Sequence, residues 1–231
     1  IPEFRKNEAL AFIKQGLQDV SLSRPTLKWG VPVPWDPDQV IYVWFDALLN
    51  YYTALGYGVE GKDVTEQFWP PFHILAKDIL KFHAVYWPAF LMSAGLELPK
   101  RVFSHGFVLS KGEKMSKSVG NVVDPFDLVA AYGLEQLRYF FLREVNFGQD
   151  GNYSPEAIGN RINADLANNI GNLVSRTLSM QHKYFAGAVQ PLGDTRPEDA
   201  ALAAAYAEAA REVEGQVADL MLSRALEGIL R

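Results

Sequence analysis

The sequence contains no cysteine and only four histidines among its 231 residues. Without thiols this stretch holds no disulfide and no thiolate-bound metal. It also lacks any run of roughly eighteen apolar residues, which argues against a membrane-spanning helix. Charge of one sign is not in excess: 22 Lys and Arg against 27 Asp and Glu leave a net −5. That excludes a generally basic nucleic-acid coat but not a local basic patch. What is present is ordinary globular material, 48% hydrophobic and 21% charged, so wholesale disorder is excluded. The chain starts without Met or a basic-then-apolar leader and stops inside a helical pattern, so both ends read as cut.

The pattern changes along the chain. Leu10, Ile13, Leu17 and Val20 predict a helix over 5–20. Pro25, Pro32, Pro34 and Pro37 predict extended loop with a short edge strand near 26–29. The β-branched and aromatic run at 40–45 (VIYVWF) suits a strand buried on both faces of a parallel sheet. A helix over 47–55 follows, stopped near Gly56. A second unit pairs a strand at 72–76 with a helix over 78–94, stopped by Gly95 and kinked at Pro88. A third strand is expected over 102–109. Such alternation implies βαβ units and a parallel sheet.

Beyond Gly120 helices take over. Asp124-Pro125 and Ser154-Pro155-Glu156 are start signals, for helices over 125–132 and 134–145 and for a long one to about 184. In the long helix Ile158, Ile162, Leu166, Ile170, Leu173 and Thr177 form a stripe expected to pack as core. A loop over 187–195 leads to an Ala-rich helix over 197–230, with Leu202, Val213, Val217, Leu220 and Leu226 inward. The expected class is α/β, a parallel sheet followed by an α-helical bundle, in three parts: 1–110, 111–153 and 154–231.

One constellation stands out chemically. Between Leu98 and Asn121 lie five basic residues (Lys100, Arg101, Lys111, Lys114, Lys117) and one acid, Glu113. Within it Lys114-Met115-Ser116-Lys117-Ser118 sits between Gly112 and Gly120. Two ammonium groups among hydroxyls and glycine-flexed backbone suit a loop that folds over phosphates.

That string resembles the KMSKS signature of class I aminoacyl-tRNA synthetases. The longer match at 114–125 (KMSKSVGNVVDP) is shared by the methionyl, leucyl, isoleucyl and valyl families. Upstream segments choose among them. VIYVWFD at 40–46 with Tyr51, AKDILKFHAVYWPA at 76–89 and FSHGFV at 103–108 resemble the bacterial methionyl-tRNA synthetases, as do Asn163-Ala164-Asp165-Leu166 and 172–176. The resemblance covers essentially the whole chain. It implies the later half of a Rossmann-like catalytic domain (1–110), the KMSKS loop and connector (111–153), and the start of an anticodon-binding bundle (154–231).

The resemblance also implies roles. Lys117, supported by Lys114, would stabilise charge on the leaving phosphates. Met115, Ser116, Ser118, Asp78, His105 and Val108 would join both lysines in binding ATP, with Asp78 toward the ribose and His105 and Val108 along the adenine. Trp44, Tyr51, Ile79 and His83 would hold methionine. A thioether gains roughly 0.3–1.5 kcal/mol against an aromatic wall. A Tyr51 O–H or His83 N–H aimed at sulfur would penalise leucine and isoleucine, which have no acceptor there. Asn172 and Arg176, four apart on one helix face, would meet the anticodon. On the residues alone Trp44 and Tyr51 read more often as core and Asn172 with Arg176 more often as surface, while His83 can be a packing histidine and Asp78 a helix cap as well.

The implied partners are L-methionine, ATP carried with Mg2+, and tRNA(Met), in the cytoplasm and away from membranes, with no metal site in this stretch. The family's second signature, HIGH, and its zinc knuckle do not occur here, so this stretch alone is expected to be inactive. The alternatives are a non-catalytic tRNA-binding fragment and a leucyl, isoleucyl or valyl relative. From Asn160 to Arg231 seven basic residues face nine acidic ones. Bulk phosphate attraction is therefore weak there, and recognition must be local.

Overall fold

The computed structural model describes residues 2–191 and 193–231. Ile1, and Leu192 within the loop expected over 187–195, lie outside the described residues. Two compact units result, one ending at His105 and the other running from Gly106 to Arg231.

In the first unit α1 (Glu3–Lys14) is shorter than expected. Gly16 at φ +90° follows its end, leaving Leu17 and Val20 outside the helix. Three short strands form an antiparallel sheet: β1 (Ser23–Arg24), β2 (Pro32–Val33) and β3 (Asp36–Ile41). This corrects two expectations. The edge strand is not at 26–29, and the run at 40–45 is not one doubly buried parallel strand. Ladder pairing ends at Ile41, and α2 (Val43–Thr53) begins at once, with extended Tyr42 as its cap. Leu48 and Tyr52, four apart on α2, are its buried face. Here tertiary packing overrides the β-propensity of Val43, Trp44 and Phe45.

After a one-turn helix, α3 (Thr65–Phe68), comes β4 (Phe72–Ala76). It pairs in parallel with β5 (Arg101–His105), Phe72 opposite Arg101 through Ala76 opposite His105. On β4, His73 and Leu75 point inward while Phe72 and Ile74 are exposed. The crossover between the strands is not one α-helix. It starts as a 3₁₀ turn (Lys77–Ile79), widens into a π-turn (Phe82–Tyr86) and becomes α4 (Trp87–Ala94). Pro88 falls in the first turn of α4, where its missing N–H is tolerated, so the expected kink is replaced by the π-turn before it. Gly95 ends α4 in the left-handed conformation, φ +69°. Leu48, Tyr52, Trp87 and Leu91 form the core between α2 and α4.

The strand expected over 102–109 is divided. β5 stops at His105, and β6 (Val108–Ser110) belongs to the second unit. There β6 pairs antiparallel with β7 (Glu113–Lys114) and parallel with β8 (Gly151–Tyr153). Gly106, the first residue of the second unit, is buried, and a Cβ there would collide with the Gln149 carbonyl. Gly106→Ala therefore costs roughly 2–4 kcal/mol of stability, read from the denaturant midpoint; an unchanged midpoint contradicts this packing.

The helix starts are as expected. α5 (Pro125–Tyr132) is capped by Asp124, which accepts from Phe126 N–H, and α6 (Leu134–Glu144) follows Gly133. Ser154 accepts from Ala157 N–H and opens α7 (Pro155–Arg161). The long helix runs on as a π segment (Ile162–Gly171) and then α8 (Asn172–Phe185). Leu128, Leu137, Phe140 and Ile158 form this unit's core. The stripe is core only at its start: Ile158 is buried, but Ile170 and Leu173 are exposed. Likewise the helix expected over 197–230 is two, α9 (Pro197–Ala218) and α10 (Leu222–Ile229), separated at Leu220, φ +60°. Leu202 and Val217, expected inward, are exposed.

Candidate functional site

The four residues assigned to methionine all lie in the first unit, on α2 and on the 3₁₀ and π turns of the crossover. Trp44 is on the first turn of α2, not on a strand. Its indole stacks on Phe82 at 3.9 Å and 7°, and His83 meets it edge-on at 6.2 Å. Trp44 and Phe82 thus make a two-ring apolar wall.

Tyr51, two turns later on α2, brings its hydroxyl 2.9 Å from His83 Nε2. His83 Nδ1 lies 3.1 Å from the Ile79 carbonyl. A carbonyl only accepts, so Nδ1 carries a proton. Burial pushes the His83 pKa down, opposed by the Ile79 carbonyl, so the ring is neutral near pH 7. Nε2 is then the acceptor, and Tyr51 O–H donates to it. Burial also raises the Tyr51 pKa, which keeps that proton in place. This changes the sulfur-reading scheme. Both donors expected to face sulfur are engaged, His83 on main chain and Tyr51 on His83. Ile79 enters through its carbonyl, fixing the tautomer.

A second buried pair lies behind. His73, 5% exposed on β4, accepts from Trp87 Nε1–H at 3.2 Å. Its ring lies 4.3 Å from Tyr51 and 5.9 Å from His83. Burial, reinforced by His83, pushes the His73 pKa down to about 4. Its ordinary, unfolded value is near 6.5, so the folded state binds fewer protons between those pH values. Stability from this group is complete above about pH 6.5 and falls as pH drops toward 4, by at most about 1.4 kcal/mol per unit. Urea titrations at pH 7, 5.5 and 4.5 show this slope, and His73→Gln reduces it; an equal slope in both proteins contradicts the assignment.

Sequence reasoning passed over His73, Phe82 and Trp87. Alternate burial on β4 was the available signal for His73. A further unforeseen feature is a cleft of about 660 Å³ beside the start of α2, lined by Arg24, Lys28, Trp29, Tyr42, Val43 and Asp46. The Arg24 guanidinium sits 3.7 Å over the Tyr42 ring there. Asp78 is exposed in the 3₁₀ turn just past the carboxyl end of β4. The cap position is Ala76, so Asp78 is not the helix cap. His105 ends β5 and is half-buried.

In the second unit Lys114 ends β7, and 115–118 follow the tight β6–β7 hairpin, whose turn holds Lys111 and Gly112, both at positive φ. Asn121 ties the segment to itself. Its Oδ1 accepts from Ser116 N–H at 2.9 Å, and its Nδ2 donates to the Lys114 carbonyl at 3.3 Å. The Ser116 carbonyl accepts from Val119 and Gly120, and the Ser116 and Ser118 hydroxyls lie 3.1 Å apart. Lys114 Nζ sits 4.1 Å over the Phe107 ring. Lys117 is exposed, and Met115 and Ser116 are half-buried. Removing both Asn121 bonds loosens this turn. Asn121→Ala should raise amide exchange at Ser116 about tenfold, read by deuterium uptake; unchanged protection contradicts the tie. Val108 opens β6 and is exposed, in a different compact unit from His105. Asn172 and Arg176 are exposed on α8, where Asn172 Nδ2 donates to the Asn168 carbonyl at 3.0 Å.

The first unit thus carries an aromatic cluster on a strand–crossover–strand unit, and the second a lysine-serine turn beside a short sheet. The chain belongs to the class I tRNA synthetases: the family model described as tRNA synthetases class I (M) matches residues 1–178. Within that class its relatives are methionine–tRNA ligases. It is 58% identical over 226 residues to that of Mesorhizobium japonicum, covering 96% of this chain and 44% of that protein. To that of Mycobacterium tuberculosis it is 53% identical over 229 residues, covering 99% and 44%. Among solved structures it is similar to Mycobacterium tuberculosis methionyl-tRNA synthetase in complex with methionyl-adenylate, with a TM-score of 0.90 and 52% identity over 100% of this chain and 45% of that one. The apo form of that synthetase gives 0.86 and 48%. The chain thus spans less than half the length of these relatives. Among the described residues no helix is long and apolar enough to cross a membrane.

Proposed function

We propose that this chain supplies the methionine pocket and the phosphate-facing loop of a cytoplasmic methionine–tRNA ligase. The observation that carries the reading is the Trp44–Phe82 wall beside the locked Tyr51–His83 pair, on a chain whose relatives bear that name. In this reading the methionine side chain lies along the wall, sulfur against the indole face. The Tyr51 hydroxyl exchanges its bond to His83 for one to sulfur, a weaker acceptor but one that no hydrocarbon side chain offers.

The methionine carboxylate attacks the α-phosphorus of ATP and pyrophosphate leaves. The methionyl group then passes from the adenylate to the 3′ end of tRNA(Met). No covalent enzyme intermediate is formed, so catalysis is orientation and charge stabilisation. Lys117, assisted by Lys114, meets the charge growing on the leaving phosphates. Met115, Ser116 and Ser118 shape the turn around them. Asp78 accepts from ribose hydroxyls and His105 lies along adenine, while in the second unit the Val108 main chain offers groups that can read a base edge. Magnesium travels with ATP as part of the substrate. Asn172 and Arg176 read the anticodon, Arg by stacking or a phosphate fork and Asn at a base edge.

The test is charging by the polypeptide that carries this chain. Methionine should be esterified to tRNA(Met) and not to tRNA(Leu) or tRNA(Val); equal charging of all three would sink the proposal.

A further inference from the structure

We propose that His73 is a positioning residue of the methionine pocket: by accepting the Trp87 indole N–H and backing the Tyr51 ring, it fixes the plane of that ring and so the reach of the Tyr51 hydroxyl. The inference rests on the reading of this cluster as the methionine pocket and adds a residue to which no role is assigned.

A histidine on a strand face otherwise filled by Leu75 needs a reason, because an apolar pair with a phenyl ring at position 87 would pack without directional demands. Trp87 is fully buried, and its indole N–H donates to His73 Nε2 at 3.2 Å. That bond requires an unprotonated Nε2, so it orients the imidazole as well as satisfying the indole. The oriented ring is what Tyr51 leans on, at 4.3 Å and 51°. Tyr51 also touches His83 at 5.7 Å and Trp87 at 6.1 Å. Three fixed rings therefore set the plane and reach of a phenol that is itself 36% exposed. His73 is buried on β4 against the Tyr51 ring. It acts through Tyr51, and its effect should appear in how sulfur is told from a methylene group.

The experiment compares methionine with norleucine, which replaces sulfur by CH2, in pyrophosphate exchange by the polypeptide that carries this chain. In His73→Leu the methionine-over-norleucine ratio of kcat/KM should fall about tenfold while the KM for ATP is unchanged. His73→Gln, whose amide oxygen can take the place of Nε2, should restore most of the ratio, and Trp87→Phe should reproduce the loss. A ratio equal to wild type in both His73→Leu and Trp87→Phe overturns the proposal. So does a His73→Gln protein as impaired as His73→Leu for methionine and ATP alike, since that is the mark of bulk packing. Should His73→Leu fail to fold, nitrogen NMR of the wild type decides: an unprotonated Nε2 is required, and a protonated one contradicts it. Wild-type protein without methionine-dependent exchange would refute the pocket reading itself, whereas wild-type exchange with unaltered ratios refutes only the role of His73.

Discussion

Lys117→Ala, in the polypeptide that carries this chain, lowers the rate of methionine-dependent pyrophosphate exchange by about 10²–10³ and leaves the KM for methionine within about twofold. The expectation follows from where the charge goes. In adenylate formation negative charge moves onto the leaving pyrophosphate, and an ammonium group stabilises that charge more in the transition state than in bound ATP. Lys117 is exposed beside a turn that Asn121 and Ser116 already hold, so its cost is not in folding. Lys114 differs: its ammonium lies over the Phe107 ring and its carbonyl accepts from Asn121. Lys114→Ala should therefore be milder in rate. Exchange by Lys117→Ala at the wild-type rate would remove the lysine from the chemistry.

Trp44→Ala raises the KM for methionine by about 10²-fold and lowers kcat less than tenfold. Losing an aromatic wall forfeits both apolar burial and the sulfur contact, together about 2–3 kcal/mol. Phe82 loses its stacking partner at the same time, so Trp44→Phe, which keeps a ring, should recover most of the affinity. Equal KM values for wild type and Trp44→Ala would show that the wall is core and nothing more.

Much of this was legible from the residues. Pro at the first helical position after Asp124 and Ser154 fixed two helix starts, because those caps act locally. The strand at 72–76 and the glycine stop at 95 were legible for the same reason. The run at 40–45 was not. Its β-propensity is real, but Leu48 and Tyr52 need helical spacing to reach Trp87 and Leu91, and that packing starts the helix at Val43. Nor was the break at Gly106, since what forbids a side chain there is Gln149, 43 residues away. Trp44, Tyr51 and His83 were named through the family resemblance, and the structure brings the three together. Their hydrogen-bond directions were not legible, because the tautomer of His83 is set by a main-chain carbonyl. The helical stripe beyond Ile162 shows the reverse error: periodicity finds an apolar face and does not say what covers it.

The central claim is that the Trp44–Tyr51–His83 pocket admits methionine for activation. The most direct measurement is ATP–pyrophosphate exchange by the polypeptide that carries this chain, with methionine, leucine, isoleucine and valine each supplied alone. The account predicts exchange with methionine and at least about 10²-fold less kcat/KM with each of the other three. Exchange supported equally by leucine, isoleucine or valine, or by none of the four, would contradict it.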